Sequence, residues 1–281
     1  MKIVADGGAT KSNWCMITPE NKRIYFNTEG YNPYFIDTPG VIKSCRESLP
    51  KEIDFSLATD VSYYGSGIHN EERADILKNA FKVIFPNAKI YVGHDLLAAA
   101  RALLQREPGF AAILGTGTNS CIYNGSEVSH HIDSLAYFLG DEGSGCHIGK
   151  RVLSDYMRGY MPAELHQIFK DTYNLTSEDI LETLYYKPNP NRFLANFSKF
   201  VYDHNNFVEY TRDVVKGCFS QFFANLVTHY PNYKAYTFNC VGSVGYNFRD
   251  ILTEVAHENG MEVGKIIRSP IDDLVQYHLN S

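Results

Sequence analysis

Long apolar runs are missing from the sequence. None approaches the roughly 18 residues that a membrane-spanning helix needs. The opening segment MKIVADGG is too short and too soon acidic for a signal peptide. We therefore expect no membrane partner and a cytoplasmic location.

Excess positive charge is missing as well. The 281 residues include 26 Lys and Arg against 32 Asp and Glu, which gives a formal net charge of -6. Because nucleic-acid-binding domains carry a basic surface, we expect no nucleic-acid partner. An anionic small molecule would need a locally arranged site.

The cysteines lack the CxxC spacing of metal and redox sites. Three of the six, Cys15, Cys121 and Cys240, lie in the apolar runs NWCMI, NSCIY and FNCVG, which are typical of buried strands. Buried thiols behave as small apolar side chains. The pattern therefore favours free cysteines over a disulfide framework or a metal cluster.

Two similar strand meanders are present instead, in a chain that is long enough for two domains and 44% hydrophobic. Alternating β-branched, aromatic and turn residues predict their strands at 2–5, 13–17 and 23–27, then at 110–114, 120–123 and 127–131. The repeat predicts two related α/β domains, 1–107 and 108–269.

Helical periodicity follows each meander. The predicted helices are 39–49, 70–84, 96–105, 143–158, 162–171, 177–185, 192–202, 207–229, 248–259 and 270–279. Further strands are predicted at 61–64, 89–92, 236–241 and 265–267. This alternation predicts a mixed or parallel sheet, with a helical insertion at about 143–229 in the second domain. We expect the terminal segment, 270–281, to pack back on the first domain.

The segment from Asp6 to Ser12, DGGATKS, predicts a phosphate-binding turn at the end of a buried strand. Glycine N–H groups can approach a phosphate closely, and Thr10 and Ser12 add hydroxyl donors. Asp6 stands where a carboxylate would face the water shell of a Mg²⁺ ion carried by a nucleotide. An ordinary hairpin with an Asx turn explains the same residues.

A second glycine-rich turn, LGTGTN, runs from Leu114 to Asn119. It is not a P-loop, because GxxxxGK[ST] is missing and a strand follows the turn. Two such turns, one in each meander, favour a phosphate site that is split between the two walls of a cleft.

Three further segments contain candidate site residues. Asp141, in GDEGSG, is a second carboxylate for the metal or the substrate, whereas helix capping explains its neighbour Glu142. Asp95, in GHD, follows a strand and can take the proton of a hydroxyl that attacks the γ-phosphate, although a helix cap explains it too. The turn in CVGSVG, beginning at Gly242, lets backbone pack against a nucleotide ring or ribose.

Taken in order, the segments DGGATKS, EGYNP, GSG, GHD, GTGTN, GDEGSG and VGSVG resemble the N-acetylglucosamine kinase group of the actin-like ATPase, or sugar kinase, superfamily. The resemblance covers almost the whole chain. It implies two ribonuclease H-like domains of the actin and hexokinase type that flank an ATP cleft. The implied activity is ATP-dependent phosphorylation of N-acetylglucosamine to its 6-phosphate, with Mg²⁺.

The resemblance also assigns roles to residues. Asp95 is the implied general base, and Asp6 and Asp141 face the metal. The implied nucleotide contacts are Gly7, Gly8, Thr10, Lys11, Ser12, Gly115, Thr116, Gly117, Thr118, Gly242, Ser243 and Val244. The implied sugar contacts, besides Asp95, are Asn32, Ser66, Thr116, Asn119 and Asp141.

The chain departs from mammalian-type members of this group just before GDEGS, where those proteins have glycines and a histidine and this chain has Ser134-Leu-Ala-Tyr-Phe-Leu139. Glucosamine and N-acetylmuramic acid therefore stay open as acceptors. Family analogy allows a homodimer.

The alternative from another class is an activator of 2-hydroxyacyl-CoA dehydratases, which resembles this chain in its ATP-binding fold. Such a protein uses ATP hydrolysis to drive electron transfer from a [4Fe–4S] cluster at a dimer interface. The cluster needs exposed cysteines, and the cysteines here are predicted to be buried.

Overall fold

The computed structural model describes residues 1–8 and 11–280. The chain forms two compact units. The first consists of Met1–Glu107, Asn124–Val128 and Pro270–Ser281, and the second of Pro108–Tyr123 and Ser129–Ser269. Each unit has its own sheet and its own apolar core.

The first unit, in its described residues, contains a five-stranded sheet in the order β3-β2-β1-β4-β5. Its strands are β1 (Lys2–Gly7), β2 (Lys11–Ile17), β3 (Arg23–Glu29), β4 (Asp60–Gly65) and β5 (Lys89–His94). Its first helices are α1 (Thr38–Ser48), α2 (Glu71–Ile84) and α3 (Asp95–Leu104). A 3₁₀ turn lies at Phe55–Leu57.

The register of this sheet aligns three strand ends. β1, β2 and β3 pair antiparallel, whereas β4 pairs parallel with both β1 and β5. Gly7, Gly65 and His94 are direct neighbours across the three parallel strands. The residues at or just after these ends, Asp6, Ser66 and Asp95, therefore meet at one edge of the sheet.

Trp14 on β2 is the centre of the first core and is fully buried. Its ring lies 5.5–6.2 Å from four aromatic rings, those of Phe26, Tyr63, Phe81 and Phe85. Its Nε1–H donates to Thr28 Oγ1 at 3.0 Å, so the buried donor is satisfied, as burial in an apolar core requires.

The second unit repeats the topology of the first, since its strand order β8-β7-β6-β9-β10 corresponds strand for strand to β3-β2-β1-β4-β5. The strands are β6 (Gly109–Leu114), β7 (Thr118–Tyr123), β8 (Val128–His131), β9 (Phe238–Val241) and β10 (Val263–Ile267). β6 pairs antiparallel with β7 and parallel with β9. The predicted fold class, two actin-type α/β halves, is confirmed.

A helical region separates β8 from β9. Its helices are α4 (Ala136–Leu139), α5 (Gly145–Arg158), α6 (Ala163–Tyr173), α7 (Ser177–Tyr186), α8 (Pro190–Asp203) and α9 (Val208–Asn225). Two 3₁₀ turns follow, at Val227–His229 and Tyr233–Ala235. The remaining helices are α10 (Ser243–Asn247), α11 (Arg249–Glu258) and α12 (Ile271–Leu279), the last of which packs against α3 and β1 of the first unit.

The helix boundaries differ from prediction where a cap or a tight turn decides them. α5 begins two residues later than predicted, because Ser144 is its N-cap and accepts the His147 N–H at 3.1 Å. α9 ends at Asn225 rather than at 229, since the chain tightens there into a 3₁₀ turn. The short helices α4 and α10 were not predicted, because one helical turn is too brief for periodicity to reveal.

None of the helices in residues 1–8 and 11–280 is both long enough and apolar enough to cross a bilayer.

Helices α5 and α8 approach so closely that only glycine fits at position 149. A Cβ on buried Gly149 would clash with the Leu194 carbonyl oxygen. Replacing Gly149 by Ala should therefore lower the free energy of unfolding by about 2 kcal/mol, as overpacking does. Urea denaturation measures this change.

Gly217 supplies the matched control within α9, since no described atom outside that helix lies within 4 Å of where its Cβ would stand. Gly217→Ala should raise the free energy of unfolding by about 0.5–1 kcal/mol, because alanine is the better helix former. Equal effects of the two substitutions would contradict the close packing of α5 on α8.

Candidate functional site

The predicted site residues fall into one group in each unit. The first unit contains Asp6, Gly7, Gly8, Lys11, Ser12, Asn32, Ser66 and Asp95. The second contains Gly115, Thr116, Gly117, Thr118, Asn119, Asp141, Gly242, Ser243 and Val244. Thr10, a predicted phosphate donor, lies outside the described residues.

The first glycine-rich turn closes as a hairpin between β1 and β2. The Gly8 N–H donates to the Lys11 carbonyl at 2.9 Å, and Gly7 pairs with Ser12. The Ser12 side chain is fully buried, with its Oγ 3.1 Å from Tyr63 Oη. The prediction of Ser12 as a hydroxyl donor to phosphate is not supported, because its period-2 position in β2 turns the side chain into the core.

Asp95 is the first residue of α3, and His94 rather than Asp95 caps that helix. The His94 Nδ1 accepts the Leu97 N–H at 3.1 Å. The Asp95 Oδ1 accepts the Leu96 N–H at 2.8 Å, so the carboxylate lies at the positive end of the helix. Because His94 is the N-cap of α3, helix capping does not explain Asp95.

Asp6 and Asp95 are partly buried and close enough to repel each other. Burial raises the pKa of Asp6 to about 7, with the negative charge of Asp95 adding to the rise and a hydrogen bond from Asn13 opposing it. Burial raises the pKa of Asp95 to about 6, against the Leu96 N–H and the charge of His69, which lower it. Two carboxyls with pKa values near neutrality at a strand edge are typical of a functional site.

Asn32 and Ser66 lie together at the turn that follows β4. The Asn32 amide packs so closely on the turn after β4 that a Cβ on Gly67 would clash with it, and its Oδ1 accepts the Tyr34 N–H at 3.0 Å. The Ser66 N–H donates to the Gly7 carbonyl at 3.0 Å. Its Oγ is buried with no hydrogen-bond partner among residues 1–8 and 11–280. An orphaned buried hydroxyl is costly unless a ligand pairs with it.

In the second unit, Asp141 holds the turn between β6 and β7. Its Oδ1 accepts the Thr118 N–H at 2.9 Å, and the Thr118 Oγ1 donates to the Glu142 carbonyl at 2.6 Å. Burial raises the pKa of Asp141 to about 6, while the Thr118 N–H and the charge of Lys150 lower it. Asp141 is thus a buried carboxyl at a glycine turn, with a raised pKa like that of the partly buried Asp6 in the first unit.

Two N–H groups at the N-terminus of α5 bind the turn between β6 and β7. The Gly145 N–H donates to the Gly115 carbonyl at 2.8 Å, and the Cys146 N–H to the Thr116 carbonyl at 3.0 Å. Apart from Gly115 itself and its two chain neighbours, no described atom lies within 4 Å of where a Cβ on Gly115 would stand. The turn therefore presents a rigid backbone to open space, which is what a close approach by phosphate requires.

The turn at Gly242 packs directly on the second glycine-rich turn. Gly242 has a φ of 132°, and a Cβ there would clash with the Leu114 carbonyl oxygen. Ser243, which is exposed, begins α10, and Val244 is buried. The structure thus brings the predicted phosphate and adenosine segments of this unit together.

Asn119 and Lys150 complete the second group. The Asn119 Oδ1 accepts the Ser120 N–H at 3.0 Å and lies 2.8 Å from His131 Nε2. The Lys150 amine donates to the Tyr137 carbonyl at 2.8 Å and its charge reaches Asp141. Lys150 was not predicted, because a lysine inside a helix carries no motif that distinguishes it from a solvated one.

The cysteines do not form an exposed set. All six are free and buried, and burial raises the pKa of every one of these thiols. The strand positions predicted for Cys15, Cys121 and Cys240 are confirmed. The thiolates that an iron–sulfur cluster would need are therefore disfavoured at these positions.

Comparison with known proteins finds no matching family profile and no matching curated protein. The chain is similar to a structure of a candidate N-acetylglucosamine kinase from Porphyromonas gingivalis. The two are 36% identical over 100% of this chain and 99% of that chain, with a TM-score of 0.93.

Two more distant structures share the fold. A candidate N-acetylglucosamine kinase from Chromobacterium violaceum is 15% identical over 98% of each chain, with a TM-score of 0.72. MreB 5 of Spiroplasma citri bound to AMPPNP is 13% identical over 99% of this chain and 95% of that chain, with a TM-score of 0.59. At these identities the likeness shows the fold alone.

The raised pKa of Asp6 has a consequence for stability. The folded protein holds this proton up to about pH 7, whereas an unfolded aspartate releases it near its ordinary pKa of 3.8. The free energy of unfolding therefore falls as the pH rises from about 4 to 7. Asp6→Asn removes this cost and should raise the free energy of unfolding by on the order of 2 kcal/mol at pH 8, measured by urea denaturation.

The gain should vanish below about pH 3, where Asp6 is protonated in both states. Asp250, whose side chain is 97% exposed, provides the control, and Asp250→Asn should change the free energy of unfolding by less than about 0.5 kcal/mol. A loss of stability in Asp6→Asn at pH 8 would contradict the account of Asp6.

Proposed function

Because the chain belongs to the N-acetylglucosamine kinase-like family of the actin-like ATPase, or sugar kinase, superfamily, we propose that it transfers the γ-phosphoryl group of ATP to the 6-hydroxyl of an amino sugar, N-acetylglucosamine first. The observation that carries this proposal is the position of Asp95. Its carboxyl lies at the end of β5, next to the end of β4 that Ser66 follows, and its charge reaches Asp6. It has a pKa of about 6 and is not needed as a helix cap.

Asp95 serves as the general base. As the sugar oxygen attacks, its proton passes to the Asp95 carboxylate, the new O–P bond forms, and the bond between the γ-phosphorus and the oxygen of the departing ADP breaks. A base with a pKa of about 6 is mostly ionised at neutral pH yet still basic enough to accept the proton.

Asn32 and Ser66 are the proposed acceptor contacts in the first unit. Thr116, Asn119 and Asp141, to which the resemblance also assigns sugar contacts, stay predictions. The Ser66 hydroxyl supports this assignment, because its Oγ is buried without a described partner and a sugar hydroxyl would satisfy it. The Asn32 amide is adjacent, so a donor and an acceptor lie side by side.

Each of the two glycine-rich turns is a proposed phosphate contact of the nucleotide, and Gly242, Ser243 and Val244 are the proposed adenosine contacts. The open space at Gly115 and the rigid support of its turn fit a phosphate. Lys11, which is exposed at the start of β2, adds positive charge at the first turn. Thr10 is proposed as a further donor.

The carboxylates fit a magnesium ion that arrives with the nucleotide. In the described part of the chain, no group of three His, Cys, Asp or Glu side chains could hold a metal by itself. Mg²⁺ keeps much of its water shell and binds to phosphates with one or two carboxylates, and Asp6 and Asp141 are each a candidate for that role. When bound, the ion neutralises charge on the phosphates. A nearby cation would also relieve the repulsion between Asp6 and Asp95.

Asp95→Asn tests the base. It should lower turnover at least about a hundredfold, because a general base is lost, while ATP binding measured by calorimetry stays within about twofold. An ATP-to-ADP coupled assay with N-acetylglucosamine, glucosamine and N-acetylmuramic acid measures turnover, and product mass locates the phosphate. Asp75→Asn on the exposed face of α2 is the control and should keep full activity.

Near-normal turnover in Asp95→Asn would remove Asp95 from this role. Absence of turnover with every amino sugar, in wild type, would contradict the proposed function.

The pH dependence provides a separate test. Because the ionised form of Asp95 is the active one, kcat/KM for the acceptor should fall about tenfold per pH unit below a pH of about 6. A profile of kcat/KM between pH 4.5 and 8 measures this limb. A flat profile over that range would contradict the assignment.

A further inference from the structure

Tyr63 on β4 is held in place by the aromatic core of the first unit. It is fully buried, and its ring lies 5.0 Å from that of Phe81 and 5.5 Å from that of Trp14. Side chains two residues apart in a strand lie on the same face of the sheet, so Tyr63 shares a face with Gly65, the last residue of β4. The core therefore fixes the ring next to a strand end of the candidate site.

The hydroxyl end of Tyr63 occupies the space that a side chain at Gly7 or Gly65 would need. A Cβ on Gly7 would clash with the Tyr63 Oη and Cζ, and a Cβ on Gly65 would lie 2.7 Å from the Tyr63 Cε1. Neither glycine has a φ in the left-handed region, so the backbone conformation does not require glycine at either position. Close approach of the Tyr63 ring does.

The Tyr63 hydroxyl lies where the ends of three strands meet. Gly7 on β1 is the direct neighbour of Gly65 on β4 and pairs with Ser12 on β2. The Tyr63 Oη lies 3.1 Å from Ser12 Oγ, and the Gly7 carbonyl accepts the Ser66 N–H at 3.0 Å. One side chain thus lies against both the first glycine-rich turn, a proposed phosphate contact, and the turn that contains Ser66, a proposed acceptor contact.

This arrangement costs stability. Glycine weakens a strand, because it has no side chain to pack and more backbone freedom to lose on folding. A buried tyrosine hydroxyl also needs a partner, here Ser12, whereas phenylalanine would fill the same ring position without one. Packing alone therefore does not explain why Gly7 and Gly65 occur together with the Tyr63 hydroxyl.

We propose that Tyr63 is a positioning residue of the candidate site: its hydroxyl end holds the Gly7 turn and the Ser66 turn in one fixed geometry, so that a single buried side chain supports both the nucleotide contact and the acceptor contact of the first unit. This inference rests on the proposed function. Tyr63 itself touches neither substrate. It limits how far the two turns can shift, and small displacements of substrate-binding groups are costly for catalysis.

Tyr63→Phe tests the hydroxyl, because it keeps the ring. It should lower kcat/KM about five- to twentyfold for ATP and for the acceptor alike, each measured at saturation of the other substrate, since both turns lose the same support. ATP affinity, measured by calorimetry, should fall about fivefold for the same reason. A loss confined to one substrate would contradict a shared support.

Tyr31→Phe is the matched control. Tyr31 is buried in the same core, and its Oη lies 3.1 Å from the Oγ of Ser44 on α1. The variant therefore loses an equivalent pair of hydroxyls at a helix instead of at the strand ends. It should lower the melting temperature as Tyr63→Phe does, but it should change ATP affinity and both kcat/KM values less than about twofold.

A rescue experiment separates two reasons for glycine at position 7. Gly7→Ala should lower kcat/KM for ATP at least about a hundredfold, because the new Cβ meets the Tyr63 hydroxyl and displaces the turn. Combining Gly7→Ala with Tyr63→Leu shortens the obstructing side chain and should recover at least about tenfold of that loss. If phosphate itself needs glycine at this position, the second substitution recovers nothing.

Thermal melting checks that each variant is folded at the assay temperature, and Tyr63→Phe decides alone if the double variant is not. Kinetics and ATP affinity in Tyr63→Phe that match those of Tyr31→Phe would overturn the inference, as would a folded double variant without recovery. Absence of turnover by wild type with every acceptor would overturn the proposed function, whereas the ATP affinities would still decide whether Tyr63 supports the Gly7 turn.

Discussion

The parallel register of β1, β4 and β5 is the constraint on which the candidate site depends. It aligns Gly7, Gly65 and His94 across three strands. The side chains of Asp6, Ser66 and Asp95, which lie next to these positions in the chain, therefore lie at one edge of the sheet. Ligands of α/β proteins bind at such carboxyl-end edges. A one-residue slip of β5 would turn its side chains to the opposite face of the sheet and move Asp95 away from Asp6.

Burial of carboxyls recurs in both units. The pKa of Asp6 is raised to about 7, and those of Asp95 and Asp141 to about 6, with burial the largest cause each time. Each of these groups makes the folded state less stable at neutral pH than a neutral side chain of the same shape would. Natural proteins accept such costs at functional sites. The two units place these carboxyls differently, since Asp6 lies at the end of a strand and Asp141 lies in the turn before α5.

Much of the fold was predictable from the sequence, because the alternation of residues such as Trp14 and Phe26 with polar neighbours has the period of a strand and returns after residue 107. The segments GTGTN and VGSVG also lie at glycine turns that follow strands, as predicted. Side-chain direction was not predictable at Ser12, where strand alternation overrides the phosphate pattern. The sequence also did not predict that His94 rather than Asp95 is the N-cap of α3. Both residues compete for that position, and tertiary packing decides between them. The homodimer and the cytoplasmic location stay predictions.

The central claim is that the γ-phosphoryl group goes to a sugar hydroxyl rather than to water. Phosphorus NMR of the wild-type protein with magnesium, ATP and N-acetylglucosamine tests it directly, because it resolves sugar phosphate from inorganic phosphate in one spectrum. The account predicts that the lost γ-phosphate signal reappears as a sugar monophosphate coupled to the methylene protons at the sugar's 6-position. Recovery of that signal as inorganic phosphate alone would contradict it.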